Sequence, residues 1–281
     1  MRFKHFLFLS LALVATNEVF AGDASRTVAL SETPAAVQKT IQSQVGDGTL
    51  GEIDKVLNDG ETAYDVELTA KDGSEHDFTV DEDGTLLSIE VALADTPALV
   101  QKAIQTLMSQ GEVAGIDKNL DDSDVTYDIE LTAKDGREKD YTLADDGTLL
   151  SENVALNETP DVVQKTITAR LAGGKLESID KNFYENGVSY DVEMTTKEGQ
   201  ERGFTVAADG SLASAQVTLA ETPSRVRSTI KKQIGDGEIL RIDQSFVKEK
   251  GVFPYEIGAR KDGKPFDFSV GPKGRFLGMD D

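Results

Sequence analysis

Pairs of carboxylates recur along the sequence and are the first residues whose chemistry could matter. Asp65 and Glu67, and then Asp128 and Glu130, stand two apart in stretches of alternating apolar and polar residues. Residues two apart on a β-strand share a face, so the members of each pair are expected to project together. Paired carboxylates serve glycoside hydrolysis where one of them has a raised pKa in an apolar cleft. A hydrophilic sheet face offers no such cleft, so the pairs predict a solvated surface, with a docking surface for a basic partner as the alternative.

Aspartate-rich turns suggest oxygen ligands for calcium. The segments DEDGTLL, from Asp81, and ADDGTLL, from Ala144, concentrate carboxylates before a glycine. A calcium loop needs about six to eight oxygen ligands at regular spacing, commonly closed by a distant glutamate. The later copies read AADGSLA and GPKGRFL, so the carboxylates are lost while the glycine stays. The pattern therefore predicts hairpin turns, and no metal or cofactor is expected.

Histidine and cysteine chemistry is scarce in this chain. His5 and His76 are its two histidines, and it has no cysteine. The positions equivalent to His76 in the later copies hold Lys139, Arg202 and Phe266, which predicts an exposed sheet position. No serine is expected beside both a histidine and a carboxylate, so the protein is predicted not to be an enzyme.

One predicted helix, SRVRSTIKKQI from Ser224, is basic. It carries Arg225, Arg227, Lys231 and Lys232. One interpretation is drift in a terminal repeat, because terminal repeats are commonly atypical. The other is an acidic front and a basic tail, which would let the molecule associate head to tail or hold an anionic envelope polymer.

These residues sit in a sequence that repeats four times. The decapeptide ETPAAVQKTI begins at Glu32, and close copies of it begin at Asp95, Glu158 and Glu221. Ile53-Asp54-Lys55 and the glycine at position 84 recur in the same order. The repeats are predicted to span residues 27–89, 90–152, 153–215 and 216–281, and the fourth is the atypical, basic one.

Each repeat predicts one helix followed by four strands. Thr33 is expected to cap the helix with Pro34 at its first position, and Val37, Ile41 and Val45 form one apolar stripe. Asp72-Gly73 and Asp83-Gly84 predict tight turns with positive φ at both central residues. The fold class is therefore predicted as α+β, with four tandem repeats that each pack one helix on a four-stranded antiparallel meander sheet.

The unit TPxxVQKxI … IDK … YDVELTAKDG … FTVDEDGTLL resembles the PepSY-like modules that are grouped with the β-lactamase-inhibitor-like fold. The resemblance covers four tandem copies. It implies a small helix laid on a curved antiparallel sheet, a noncatalytic module of exported bacterial proteins, and a role in restraining hydrolases such as peptidases. No site residue is carried over by this resemblance.

The first 21 residues are typical of a secretory signal peptide. Arg2 and Lys4 precede the apolar run FLFLSLALVA, and Val19-Phe20-Ala21 forms a cleavage site before Gly22. The protein is therefore predicted to be periplasmic or secreted. Its 51 acidic and 29 basic residues give a net charge of −22, which disfavours nucleic acid and anionic membranes as partners.

The sequence thus predicts an exported, noncatalytic binding or inhibitory module of the PepSY-like kind. Its expected partner is a protein, with an exported hydrolase implied by the resemblance, and no membrane insertion is expected. The alternative is a structural or adhesive envelope protein that self-associates through opposite charge at its two ends.

Overall fold

The computed structural model describes residues 25–58, 61–120, 124–185, 187–247, 251–261 and 264–280. The predicted signal peptide and residues 59–60 lie outside these ranges. Within these ranges, four α-helices lie at the decapeptide and its copies: α1 (Ala35–Val45), α2 (Ala98–Leu107), α3 (Asp161–Leu171) and α4 (Ser224–Ile234).

The start of each helix differs from the prediction. Pro34 is the residue that flanks α1 rather than its first helical residue, and no side chain caps the helix there. The Thr33 hydroxyl instead donates to the carbonyl of Leu30, at 2.9 Å. It closes a short 3-10 turn over Leu30–Glu32 that the sequence analysis missed. The Glu32 carboxylate accepts the Ala29 N–H at 2.9 Å and fixes that turn.

The helix ends are only partly as predicted. Gly46 and Gly235 end α1 and α4 with φ values of 51° and 61°, where glycine has no Cβ to clash. At the end of α3, however, Ala172 rather than glycine adopts the left-handed conformation, with φ 48°.

Seventeen strands make up about half of the described residues. In chain order they are β1 (Arg26–Thr27), β2 (Thr49–Asn58), β3 (Glu61–Thr69), β4 (Glu75–Asp81), β5 (Leu86–Glu90), β6 (Gly111–Leu120), β7 (Val125–Ala133), β8 (Glu138–Ala144), β9 (Leu149–Asn153), β10 (Lys175–Tyr184), β11 (Gly187–Thr195), β12 (Glu201–Ala207), β13 (Leu212–Gln216), β14 (Glu238–Ser245), β15 (Tyr255–Lys261), β16 (Lys264–Val270) and β17 (Phe276–Asp280).

The predicted fold class, four repeats that each pack one helix on a four-stranded meander sheet, is wrong. All seventeen strands belong to one antiparallel sheet. The sheet is continuous because β5 pairs with β6, β9 with β10 and β13 with β14. Each of these pairings satisfies backbone groups that a separate sheet would leave on an open edge. The proposed repeat boundaries stay a prediction, and the three strand pairings are called junction 1/2, junction 2/3 and junction 3/4 below.

Buried apolar residues form four clusters on the face of the sheet that carries the helices. Val37 and Ile41 of α1 are fully buried, and they share a cluster with Tyr64, Val66 and Phe78. The other three clusters hold the corresponding residues of α2, α3 and α4. Burial of each such side chain contributes roughly 1.5–3 kcal/mol, so these clusters are the main source of stability.

Tight turns connect the strands, but their geometry differs from the prediction. Gly73 and Gly84 have φ values of 89° and 91°, whereas neither Asp72 nor Asp83 has a positive φ. The Asp83 carboxylate accepts the N–H of Thr85 at 2.9 Å instead. A Cβ at position 84 would lie 2.8 Å from the backbone of α1, so glycine is required there for contact with the helix as well as for its conformation.

Candidate functional site

The face of the sheet opposite the helices, called the outer face, carries a repeated pairing of acidic residues. In the strand register, Asp54 lies directly opposite Asp65, and Asp117 lies opposite Asp128. The same positions pair Asp180 with Asp191 and Asp243 with Glu256. Like charges directly opposite each other on neighbouring strands destabilise a sheet. The outer face therefore concentrates negative charge at a cost in folding free energy.

Hydroxyl and amide donors hold the Asp65 and Asp128 carboxylates of the first two pairs. Thr79 donates to Asp65 at 2.8 Å, and Thr142 donates to Asp128 at 2.7 Å. Asn119 adds a second donor to Asp128, at 2.7 Å. These bonds fix the carboxylates in position without neutralising them.

The four acidic residues singled out from the sequence lie on this outer face. Asp65 and Glu67 are exposed, while Asp128 and Glu130 are partly buried. The register places Glu67 opposite Asp77 and Glu130 opposite Asp140. The pairs therefore belong to a larger acidic surface than their spacing within one strand indicates.

Junction 1/2 brings further carboxylates together that the sequence analysis missed. Glu90, at the end of β5, lies opposite Asp117 of β6, which in turn lies opposite Asp128 of β7. We call Asp77, Glu90, Asp117, Asp128 and Glu130 the junction acid cluster. The recurrent Ile-Asp-Lys motif could have drawn attention to Asp117. The contact of Asp117 with Glu90, however, depends on the pairing of β5 with β6, which local sequence patterns do not reveal.

Burial and mutual repulsion make ionisation of the carboxyl groups in the junction acid cluster less favourable. Burial, followed by the charges of Glu130, Asp128, Glu90 and Asp77, raises the pKa of Asp117 to about 6. Burial also raises the pKa of Asp128, although bonds from Thr142 and Asn119 oppose it. A cation placed against this surface would lower both pKa values and recover the energy of mutual repulsion.

Junction 2/3 repeats this arrangement with one fewer acid. Asn153 stands opposite Asp180, at the position of Glu90 in junction 1/2. Burial, followed by the charges of Glu193, Asp191 and Asp140, raises the pKa of Asp180 to about 6, while a hydrogen bond with Asn153 lowers it.

Junction 3/4 breaks the acidic pattern. Gln216 stands opposite Asp243, and Gly203 occupies the position of Asp77. Arg241 lies 3.9 Å from the Asp243 carboxylate. Two open cavities of about 270 and 280 Å³ flank Arg202 and Gln216, with Val217 and Ile239 lining one of them and Met194 and Phe204 the other.

The predicted basic helix presents three of its four cations to solvent. Arg225, Lys231 and Lys232 are exposed on α4. The Arg227 guanidinium instead donates to the carbonyls of Leu219, Ala220 and Thr222, at 2.6–3.1 Å. Gln38 makes the equivalent bond to Thr33 in the first repeat, at 2.8 Å. Arg227 therefore secures the start of its helix.

Ser74 lies between a carboxylate and a histidine, contrary to the prediction that no serine would do so. Its hydroxyl is 2.7 Å from Asp72 Oδ1 and 2.8 Å from His76 Nε2. In a catalytic triad the imidazole stands between the hydroxyl and the carboxylate and accepts the hydroxyl proton. Here the serine hydroxyl donates to the carboxylate, so the histidine cannot act as its base in this arrangement.

Within the described ranges, no group of three or more His, Asp or Glu side chains converges as metal ligands. No helix among the described residues is long and apolar enough to cross a membrane.

Comparison with known proteins places the chain beside uncharacterised relatives. No protein-family model matches it. It is 31% identical over 144 residues to the uncharacterized protein YkoJ of Bacillus subtilis, an alignment that covers 46% of this chain and 78% of YkoJ. The chain belongs to the YkoJ family. Membership of the YkoJ family brings no activity with it, because YkoJ is itself uncharacterized.

Solved structures resemble parts of this YkoJ-family chain weakly. A protein of Bacteroides thetaiotaomicron, provisionally described as a calcium-regulated periplasmic protein, is 15% identical with a TM-score of 0.31, over 47% of this chain and 97% of its own. A DUF2874 family protein of Bacteroides ovatus is 14% identical with a TM-score of 0.32, over 42% and 84%. The periplasmic description belongs to the Bacteroides thetaiotaomicron protein, and a likeness at this level carries no conclusion about this chain.

Proposed function

We propose that the protein is a noncatalytic binding protein of the bacterial envelope that engages a basic protein partner through the outer face of its first two repeats. The single observation that carries this proposal is the row of opposed carboxylates on one continuous sheet. The row persists although the electrostatic repulsion within it opposes folding.

The location follows from the N-terminal sequence. A basic start, an apolar run and a small-residue cleavage site support export. The description of the Bacteroides neighbours as periplasmic is consistent with that location.

The chemistry of the outer face supports a cationic partner. Asp117 and Asp128 are both partly desolvated. Bonds from Thr142 and Asn119 also hold the Asp128 carboxylate in position before a partner arrives. Lysine or arginine side chains of a partner would pair with carboxylates that already repel one another. The attraction also accelerates encounter at low ionic strength.

The class of partner is suggested by the PepSY-like resemblance of the repeats. That resemblance supports an exported hydrolase, such as a peptidase, whose activity the protein restrains. A flat surface can do so by covering a substrate entrance without contributing any catalytic group.

The test compares two variants that lose equal charge. The outer-face variant replaces Asp65, Glu67, Asp128 and Glu130 with their amides. The control variant replaces Asp72, Asp83, Asp146 and Asp209 with asparagine. These four aspartates lie in exposed turns, where an asparagine oxygen can still accept the turn hydrogen bond.

Binding to poly-L-lysine is measured first by calorimetry, and capture from the exported fraction follows. The outer-face variant should bind poly-L-lysine at least tenfold more weakly than the control variant. A captured hydrolase should lose activity as wild-type protein is added and keep it with the outer-face variant. Equal loss in both variants would show that net charge, and not the outer face, governs binding.

A further inference from the structure

At each of the three junctions, the last strand of one repeat pairs with the first long strand of the next. The strands near the two ends of the sheet, β17 and β2, are further copies of these two strands. At junction 1/2, Ser88 of β5 pairs with Asn119 of β6. One residue further along the same register, Leu87 comes opposite Leu120, and both are partly buried. At junction 3/4 the corresponding residues are joined by the Phe246 N–H, which donates to the carbonyl of Ala213 at 2.7 Å.

β17 is the last copy of the first of these two strands. It pairs with β16 on one side. No strand among the described residues pairs with its other edge. Leu277 holds the position of Leu87, and it is 41% exposed. Its neighbours Phe276 and Met279 are 37% and 50% exposed, so an apolar strand edge is left open.

β2 is the first copy of the second of these two strands. On its outer edge β1 pairs only with Asp54 and Lys55. Val56 and Leu57 extend beyond β1, and no other described strand covers them on that side. Leu57 holds the position of Leu120, and it is 40% exposed. The exposed leucine at each end therefore occupies the position of one member of the internal leucine pair.

Charge favours the union of one end with the other over the union of like ends. The first repeat holds 14 acidic and 3 basic residues, whereas the fourth holds 10 acidic and 12 basic residues. Two first repeats would repel each other strongly. A first repeat and a fourth repeat attract at low ionic strength, where screening is weak.

We propose that a second copy of this chain docks head to tail, with β17 of one copy extending the sheet along the Val56–Leu57 edge of β2 in the next. Gly278 then faces Val56, and Leu277 faces Leu57, in the register of junction 1/2. The Met279–Asp280 end of β17 reaches the positions that β1 occupies, so full pairing displaces the two exposed residues Arg26 and Thr27.

This docking has consequences for assembly. A head-to-tail contact that does not close on itself produces an open chain of molecules. The strand edge is short, and specific stable interfaces bury about 800 Å² per partner, so the association is weak and depends on concentration. This self-association does not depend on the proposed binding of a basic partner by the outer face.

The absence of cysteine from the natural sequence permits a direct test. The variant Leu57→Cys/Leu277→Cys is oxidised mildly at low ionic strength and separated without reductant. Opposed residues on paired strands have Cα atoms about 4.5–5.5 Å apart, which suits a disulfide. The expected result is a ladder of two, three and more linked chains, because every molecule carries both halves of the contact.

Three control variants give the alternatives distinct outcomes. In Leu99→Cys/Leu277→Cys, the second cysteine stands on α2, at a position that is 58% exposed and is not expected to contact β17. This variant should give at least tenfold less of the linked chains. Leu57→Cys alone and Leu277→Cys alone should remain single chains. A dimer from Leu277→Cys alone as abundant as the products of the double variant would show tail-to-tail docking and overturn the proposal. A ladder no stronger than that of the α2 control would also overturn it.

A measurement without disulfides keeps the proposal testable if oxidation distorts the strands. Leu277→Lys places a charge on the open edge, a substitution that blocks strand pairing. In sedimentation velocity at low salt, it should raise the apparent dissociation constant of self-association at least tenfold, and Leu99→Lys should leave it unchanged. Equal behaviour of the two variants would contradict docking at β17.

Discussion

Junction 1/2 and junction 3/4 have the same strand pairing and differ in the side chains on the outer face. Ser88 pairs with Asn119 in the first, and Ser214 pairs with Ser245 in the second, at equivalent positions of the register. The helix beside each junction anchors its apolar cluster with one valine and either one isoleucine, in α2, or two, in α4. Yet Glu90 opposes Asp117 in the first, whereas Gln216 opposes Asp243 in the second. Strand pairing and the apolar set therefore determine the architecture, and the outer side chains are free to differ.

The strongest test of the shared architecture is a pair of equivalent core substitutions. Ile104 of α2 and Ile230 of α4 are both fully buried. Ile104→Ala and Ile230→Ala should each lower the free energy of unfolding by about 2–5 kcal/mol, since each removes three carbons and leaves a cavity. Denaturant titration with a probe near each helix measures both losses. Losses that differ by more than about 2 kcal/mol would contradict equivalent packing on the helix side.

The next prediction concerns Asp117 at junction 1/2, whose replacement should raise stability, whereas the equivalent replacement at junction 3/4 should not. In the folded protein the pKa of Asp117 is about 6, against about 3.9 in an unfolded chain. The folded protein therefore binds the Asp117 proton more tightly than the unfolded chain does. The ionised carboxylate destabilises the fold fully above pH 6, and this destabilisation disappears as the pH falls toward 4. Asp117→Asn should raise stability at pH 7.5 by about 1–2 kcal/mol, after allowance for solvent screening, and have little effect at pH 4.

The matched substitution at junction 3/4 is Asp243→Asn. It removes a carboxylate that lies 3.9 Å from Arg241, so it should lower stability slightly or leave it unchanged at pH 7.5. Thermal unfolding of both variants at pH 7.5 and pH 4 measures the contrast. A gain in stability from Asp243→Asn as large as that from Asp117→Asn would show that the two junctions are electrostatically alike.

Local patterns predicted the helices and most strands but not the way the repeats join. The apolar stripe of Val37, Ile41 and Val45 is read within one segment, and the first two of these residues are fully buried while Val45 is partly buried. The apolar residues that alternate with Asp65 and Glu67 are likewise read within one strand, and all three are buried: Tyr64, Val66 and Leu68. The pairing of β5 with β6 joins Glu90 to Asp117 across 27 positions of sequence, and no turn signal specifies it. For the same reason the carboxylate pairs within a strand were visible in the sequence, whereas the junction acid cluster was not.

The smallest expected effect concerns an ion pair that links repeat 2 to repeat 3 and recurs between repeat 3 and repeat 4. Lys139 lies 3.4 Å from Glu158, and Arg202 lies 2.9 Å from Glu221, at equivalent positions. Lys139→Gln and Arg202→Gln should each cost about 0.2–1 kcal/mol, because partly exposed pairs gain little net energy. Arg202→Gln should cost the more of the two, since the guanidinium also contacts Gln200 at 3.3 Å. Chemical denaturation in low and high salt measures both losses, and salt should reduce them. A loss from Arg202→Gln that salt leaves unchanged would instead assign the stabilisation to packing of the arginine side chain against the cavities at junction 3/4.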